Sequence, residues 1–262
     1  MEQSAVFFDI DGTIWDYKHS IPESTVKAIQ TLRAKGHYAF LSSGRSRSTI
    51  RAKELLDIGF DGILAGCGTY IEYRGKVLLN EKLPWDLLCR TIPVLKKHRI
   101  ATFFEGSSKL YVDKKAFGDD PYAKSFEKEL GEDYLDITDL NPDSIVNKLS
   151  IDYRHVERET MLASLQEDYD VIVHDFGSVA ELLPKGFSKA TGIDWICDYL
   201  GISPSCTYAF GDSANDITML QRVHCGIAMG NASEVTKEAA DYVTTSMQED
   251  GIYNGLLHVG LI

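Results

Sequence analysis

Apolar and polar positions along this chain fall into blocks, and the grammar of the blocks changes twice. Ala5-Val6-Phe7-Phe8 is a continuous apolar run that stops at Asp9, the pattern of a strand buried on both faces. From about Pro22, Val26, Ile29 and Leu32 recur at helical spacing until Gly36, which predicts an amphipathic helix with a glycine stop. Tyr38 to Ser42 reads as a second buried strand, Ser46 to Leu56 as a second helix and Gly62 to Ala65 as a third strand. This alternation predicts a parallel, doubly wound sheet. Thr69 to Leu79 differs, because its residues alternate about Arg74-Gly75 and so predict a hairpin.

From about Pro84 to Leu183 the pattern changes. A helix to about His98 leads into two short strands, Ala101 to Glu105 and Lys109 to Asp113, around a Gly-Ser-Ser turn. A polar, weakly patterned stretch follows. Then come Val146 to Tyr153 as a strand, a helix from about Val156 to Glu167, and strands near Val171 to His174 and Ala180 to Leu183. Short strands with flanking helices predict an α+β module on an antiparallel sheet. From Ser188 the βα alternation resumes. The expected fold class is therefore α/β, a doubly wound, Rossmann-like parallel-sheet core with an inserted α+β cap domain. The expected boundaries are 1–82 and 184–262 for the core and 83–183 for the cap.

Composition narrows the function classes. The chain has 262 residues and 44% apolar residues, enough for one large core or two modest ones. Its formal charge of −12 argues against nucleic acid as a partner, since backbone phosphates are bound by clustered Lys and Arg. No apolar run approaches the roughly 20 residues needed to span a bilayer. The start, Met1-Glu2-Gln3-Ser4, lacks a basic signal-like region, so the expectation is a cytoplasmic protein with no membrane partner. Five scattered cysteines, Cys67, Cys89, Cys197, Cys206 and Cys225, have no metal-ligand spacing and read as reduced, structural thiols.

The chemistry is concentrated at two strand tips. Asp9 and Asp11 stand two residues apart where the first strand ends, and that spacing can aim both into the crevice where open α/β sheets bind ligands. Gly12 permits a sharp turn and Thr13 offers a hydroxyl to tie it down. A plain strand followed by an Asp-Gly turn would look the same. Downstream, Thr207 to Gly211 is a second apolar strand ending in Asp212-Ser213-Ala214-Asn215-Asp216. Asp212 or Ser213 could simply cap the following helix. Capping needs only one short polar side chain, however, and two acidic tips in one sheet suggest a hard divalent cation between them.

With these runs in view the sequence resembles the haloacid dehalogenase-like superfamily. Asp9-Ile10-Asp11-Gly12-Thr13 is similar to its first motif, Leu41-Ser42-Ser43-Gly44-Arg45 to the second, Leu183-Pro184-Lys185-Gly186-Phe187-Ser188-Lys189 to the third and Gly211-Asp212-Ser213-Ala214-Asn215-Asp216 to the fourth. The order of motifs and the long insert resemble the Cof-type sugar-phosphatase branch with a C2B cap. Ala228-Met229-Gly230-Asn231-Ala232 and Glu249-Asp250-Gly251-Ile252 fit that branch as well.

The resemblance implies a Mg²⁺-dependent phosphatase of small phosphorylated metabolites, sugar phosphates foremost, acting through an aspartyl-phosphate. It implies Asp9 as nucleophile and Asp11 as acid and base. Mg²⁺ would be held by the Asp9 and Asp212 carboxylates and the Asp11 carbonyl. Phosphate would be bound by Ser43, Gly44, Asn215, the Ile10 N–H and Lys189, with Asp216 in support. Ser43 could instead be a helix N-cap, and Lys189 a solvated lysine on a first helical turn. Arg45 is expected to pair with core acids. Cys67-Gly68 departs from the Asn-Gly common in the branch. On the cap, Phe104, Glu105, Lys109 and Tyr111 are candidates for substrate selection or ordinary sheet residues. A monomer or weak homo-oligomer is expected. A sugar phosphomutase of the same superfamily is the alternative activity, and a non-catalytic binding module the alternative class.

Overall fold

The computed structural model describes residues 3–174 and 177–262. In chain order the strands are β1 (Ala5–Phe8), β2 (Tyr38–Ser42), β3 (Gly62–Ala65), β4 (Tyr70–Tyr73), β5 (Lys76–Asn80), β6 (Ala101–Glu105), β7 (Leu110–Val112), β8 (Tyr134–Asp136), β9 (Lys148–Asp152), β10 (Asp170–Val173), β11 (Val179–Leu183), β12 (Thr207–Gly211), β13 (Cys225–Ala228) and β14 (Tyr242–Val243). They form two sheets, in two compact units. One unit comprises Met1–Gly44, Arg51–Leu78 and Ser188–Ile262, the other Arg45–Ile50 and Leu79–Phe187. Among the described residues no helix is long and apolar enough to cross a membrane.

The first unit carries the sheet ordered β14-β13-β12-β1-β2-β3-β4-β5. Its first six strands are mutually parallel, and β4 runs antiparallel to β3. Every residue of β1 is buried, which is why that strand reads as unbroken apolar sequence. Phe8 pairs in register with Leu41 on one side and Phe210 on the other. Phe7 stacks on Phe40 at 5.3 Å and Phe8 on Phe210 at 5.2 Å, contacts contributing about 0.5–1.5 kcal/mol each beyond their buried area. The chain leaves β1 toward β2 and later returns to β12 on its other side. The ends of β1 and β12 therefore flank a switch point of the doubly wound sheet, where ligands of such folds bind.

The second unit carries the sheet ordered β10-β11-β9-β6-β7-β8, antiparallel except for the β7–β8 pair. Phe104, Tyr111, Leu149, Ile151, Ala180 and Leu182 join Leu87, Leu88 and Leu95 of the helix Trp85–Lys97 and Met161 and Leu165 of the helix Arg158–Leu165 in one apolar core. A smaller cluster gathers Phe103, Leu110 and Val112 against Ala123 and Leu130 of the helix Pro121–Leu130.

Three expectations need correction. The helix expected over Ser46 to Leu56 is a 3₁₀ turn at Arg47–Thr49 and one helical turn at Lys53–Leu56, interrupted at Ile50 (φ −100°, ψ 77°). Thr49 Oγ1 donates to the Ser46 carbonyl at 3.0 Å, a local bond of the kind that competes with helix. The polar, weakly patterned stretch contains the helix Pro121–Leu130, opened by Asp120 as N-cap and proline at its first position, and the three-residue strand β8. Phe104 and Tyr111 are 1% and 4% exposed and belong to the core, so they are not surface residues for selecting substrate.

Candidate active site

Asp9 follows directly on β1, its N–H donating to the Phe210 carbonyl of β12 at 3.0 Å. The chain then turns sharply, with Ile14 and Trp15 N–H groups donating to the Ile10 carbonyl at 3.0 and 3.1 Å and Gly12 N–H to the Trp15 carbonyl at 2.8 Å. Gly12 has φ +84°, and a Cβ there would lie 2.2 Å from Asp212 Oδ2, so only glycine lets the two acidic tips approach. Thr13 Oγ1 donates to Asp212 Oδ1 at 3.1 Å, which ties the first tip to the second.

Lys189 opens the helix Lys189–Leu200, behind Ser188 as a capping-box residue. It is 1% exposed, and its Nζ donates to Asp9 Oδ1 and Asp216 Oδ1, each at 2.6 Å. A solvated lysine is thereby excluded. Burial works to lower the pKa of this ammonium, yet Asp216 and Asp9 hold it well above its ordinary value. Asp216 is completely buried, and its other oxygen accepts from the N–H groups of Asp212 and Ser213 at 3.0 Å each. Gly211 gives it room, since a Cβ there would stand 2.5 Å from the Asp216 side chain.

Carboxylate oxygens of Asp9, Asp212 and Asp216 lie within 4.8 Å of one another. Burial first, and the charge of Asp216 next, raise the Asp9 pKa well above its ordinary value despite Lys189. The same two causes raise Asp212 to about 7. Three carboxylates against one ammonium is an uncompensated charge, and an all-oxygen donor set of this kind suits a hard divalent cation.

The other expected residues are distributed around this centre. Ile10 and Ser43 are buried; the Ser43 N–H donates to the Leu64 carbonyl at 2.8 Å, so that amide serves the sheet. Gly44 ends the stretch of the first unit that follows β2. Asn215 Oδ1 accepts from Ser213 Oγ at 3.1 Å. Asp11 is exposed, and its carboxylate stands outside the cluster of three acids. Cys67 is fully buried with left-handed φ/ψ (53°, 44°), and its N–H donates to the Ser43 carbonyl at 3.0 Å. None of the five cysteines forms a disulfide.

Two contributors are not singled out by their sequence context. Asn231 donates from Nδ2 to the Gly12 carbonyl at 2.8 Å and accepts the Met247 N–H on Oδ1 at 2.9 Å, which buttresses the first turn. Trp15 Nε1 donates to Asp11 Oδ1 at 2.9 Å. Asn231 lies in the run Ala228-Met229-Gly230-Asn231-Ala232, whose neighbours carry no signal of contact with residue 12. In the second unit, Glu105 is buried and 3.6 Å from Lys148, which pairs with Glu181 at 2.7 Å; Lys109 is exposed.

A doubly wound core with three clustered carboxylates and a buried lysine at its switch point defines a site built for charge, not for an apolar ligand. The family is shown by comparison: the haloacid dehalogenase-like hydrolase model matches residues 6–256, and the chain belongs to that family. Over the full length of both chains it is 33% identical to the putative phosphatase YkrA of Bacillus subtilis strain 168. It is 26% identical to 5-amino-6-(5-phospho-D-ribitylamino)uracil phosphatase YitU of the same organism, over 94% of each chain. Among solved structures, the subclass IIB sugar phosphatase BT4131 superposes with a TM-score of 0.85 at 28% identity, covering 99% of this chain and 100% of that one.

Proposed function

We propose that this chain, a phosphoric monoester hydrolase, acts on small phosphorylated metabolites, sugar phosphates foremost, and needs Mg²⁺. The observation that carries the reading is Asp9: a buried carboxylate at the end of β1, pinned on one oxygen by Lys189 and crowded by Asp212 and Asp216. Full-length likeness to phosphatases, one of them a sugar phosphatase, supports the substrate class.

Asp9 is the nucleophile. Its oxygen bonds to phosphorus as the ester P–O bond breaks, giving an aspartyl-phosphate and an alkoxide that takes its proton from Asp11. Asp11, now a carboxylate, takes a proton from water, which attacks phosphorus and frees Asp9 and inorganic phosphate. Lys189, fixed by Asp216, offers positive charge to a phosphate oxygen; Ser43, Gly44, the Ile10 N–H and Asn215 complete the phosphate's donors. The carboxylates of Asp9 and Asp212 and the carbonyl of Asp11 would hold the metal. When bound, Mg²⁺ neutralises the repulsion between a carboxylate and a phosphate dianion and orients the phosphoryl oxygens. The domain division proposed is a core of 1–82 and 184–262 with a substrate-selecting cap of 83–183.

The test is phosphate release from a panel of phosphorylated metabolites, with and without EDTA and added Mg²⁺. Release that stops with EDTA, returns with Mg²⁺ and favours sugar phosphates is the expected result. Full activity in metal-free buffer contradicts the reading, and an isomeric phosphate in place of inorganic phosphate replaces it with a mutase.

A further inference from the structure

Trp15 is 2% exposed, while the carboxylate it holds belongs to an exposed residue. The turn Ile10–Trp15 doubles back so that residues 11 and 15 form a short bridge, and the indole Nε1–H reaches Asp11 Oδ1 at 2.9 Å. The ring is also stacked on one face. His19 stacks on it at 4.2 Å and 17°, and His19 is itself placed by a tight loop in which Asp16 Oδ1 accepts the Lys18 and Ser20 N–H groups at 2.8 and 2.9 Å. A rigid donor, seated in the core and braced by a ring, thus grips one oxygen of a side chain whose backbone alone would leave it several rotamers.

We infer that Trp15 is a positioning residue for the acid–base carboxyl of Asp11. The inference rests on the reading of Asp11 as acid and base given above. An indole N–H donates and never accepts, so the oxygen it holds is an acceptor in every protonation state. A carbonyl oxygen accepts better than a hydroxyl oxygen, so the bond to Oδ1 favours Oδ2 as the oxygen that carries the acidic proton. As the ester P–O bond breaks, its electron pair stays on the leaving oxygen and Oδ2 delivers the proton to that oxygen; in the second half-reaction the carboxylate takes a proton from water. The bond to Trp15 fixes which oxygen does this and where it points. A misdirected acid loses much of its contribution, because proton transfer requires hydrogen-bond reach to the departing oxygen.

The leaving group separates positioning from mere packing. An aryl phosphate expels a stabilised phenolate that needs no proton, whereas an alkyl phosphate expels an alkoxide that does. The quantity to compare is kcat/KM, which reports on steps through departure of the leaving group. Trp15→Phe keeps a ring against His19 and removes the donor. Because that change also trims the core, 3-benzothienylalanine at position 15 serves as second variant, with sulfur in place of N–H and the same outline. Both variants are expected to lower kcat/KM for an alkyl phosphate about tenfold more than for nitrophenyl phosphate, the scale of one hydrogen bond. Equal losses on both substrates make Trp15 a packing residue and overturn the inference, as does unchanged kcat/KM on the alkyl phosphate. Asp11→Asn is run beside them. If it fails to discriminate between the substrates, the acid–base reading itself falls, independently of Trp15.

Discussion

Asp216→Ala isolates the charge balance at the centre of the site. Asp216 is fully buried, accepts Lys189 Nζ at 2.6 Å and accepts the backbone N–H groups of Asp212 and Ser213 at 3.0 Å each. Removing one partner of a buried ion pair costs about 3–5 kcal/mol, and each stranded N–H costs about 1–3 kcal/mol unless water reaches it. Against this, Asp216 raises the pKa values of both Asp9 and Asp212, so its loss relieves repulsion among the acids. Lys189 also keeps Asp9 as a partner. The relief and the retained Asp9 partner offset part of the loss, so a net cost of about 3 kcal/mol, the low end of that for a broken buried pair, is expected. For a chain of this size that is a fall in Tm of roughly 6–12 °C. Thermal unfolding followed by circular dichroism measures it, for Asp216→Ala, Lys189→Met and the double variant. A coupling of about 1–3 kcal/mol should appear in the cycle, as for residues sharing one ionic network. A Tm for Asp216→Ala within 1–2 °C of the parent, roughly the effect of half a kcal/mol, would refute the reasoning.

Gly12→Ala should abolish turnover and lower Tm by several degrees, since the added Cβ meets Asp212 Oδ2 at 2.2 Å in a left-handed conformation; phosphate release and thermal melting check it together. Acid should destabilise the second unit through Glu181. Burial pushes that carboxyl up, but Lys148 at 2.7 Å and His174 at 3.0 Å hold it well below its ordinary 4.5, so its stabilisation is complete above pH 4.5 and is lost as pH falls beneath that value. Lys148→Met should therefore show a shallower decline in Tm between pH 5 and 3 than the parent, and an unchanged slope contradicts the assignment.

The parallel core was legible because its strands are buried on both faces and announce themselves as apolar runs: Ala5–Phe8 and Tyr38–Ser42 appear where the residues place them. The acidic tips were legible for a related reason, as charges stand out against such runs. What escaped depends on contacts far along the chain or on very short elements. The helix Pro121–Leu130 carries its apolar residues Ala123, Phe126 and Leu130 on one face, but the surrounding lysines and glutamates obscure that spacing. Phe104 and Tyr111 face the core because adjacent strands β6 and β7 pair them in register, a fact of pairing and not of either residue alone. Trp15 reads in sequence as one more apolar residue; its bond to Asp11 exists only because the turn at Gly12 returns the chain on itself.

The central claim is that Asp9 takes the phosphoryl group. Its most direct test is to mix Asp11→Asn enzyme and Mg²⁺ with an aryl phosphate, quench in acid and locate the modification by mass spectrometry of the peptic peptides. The account predicts a phosphoryl adduct on Asp9, formed in a burst with one equivalent of phenolate and absent in Asp9→Asn. A burst with no adduct at Asp9, or turnover by Asp9→Asn near the parent rate, would contradict it.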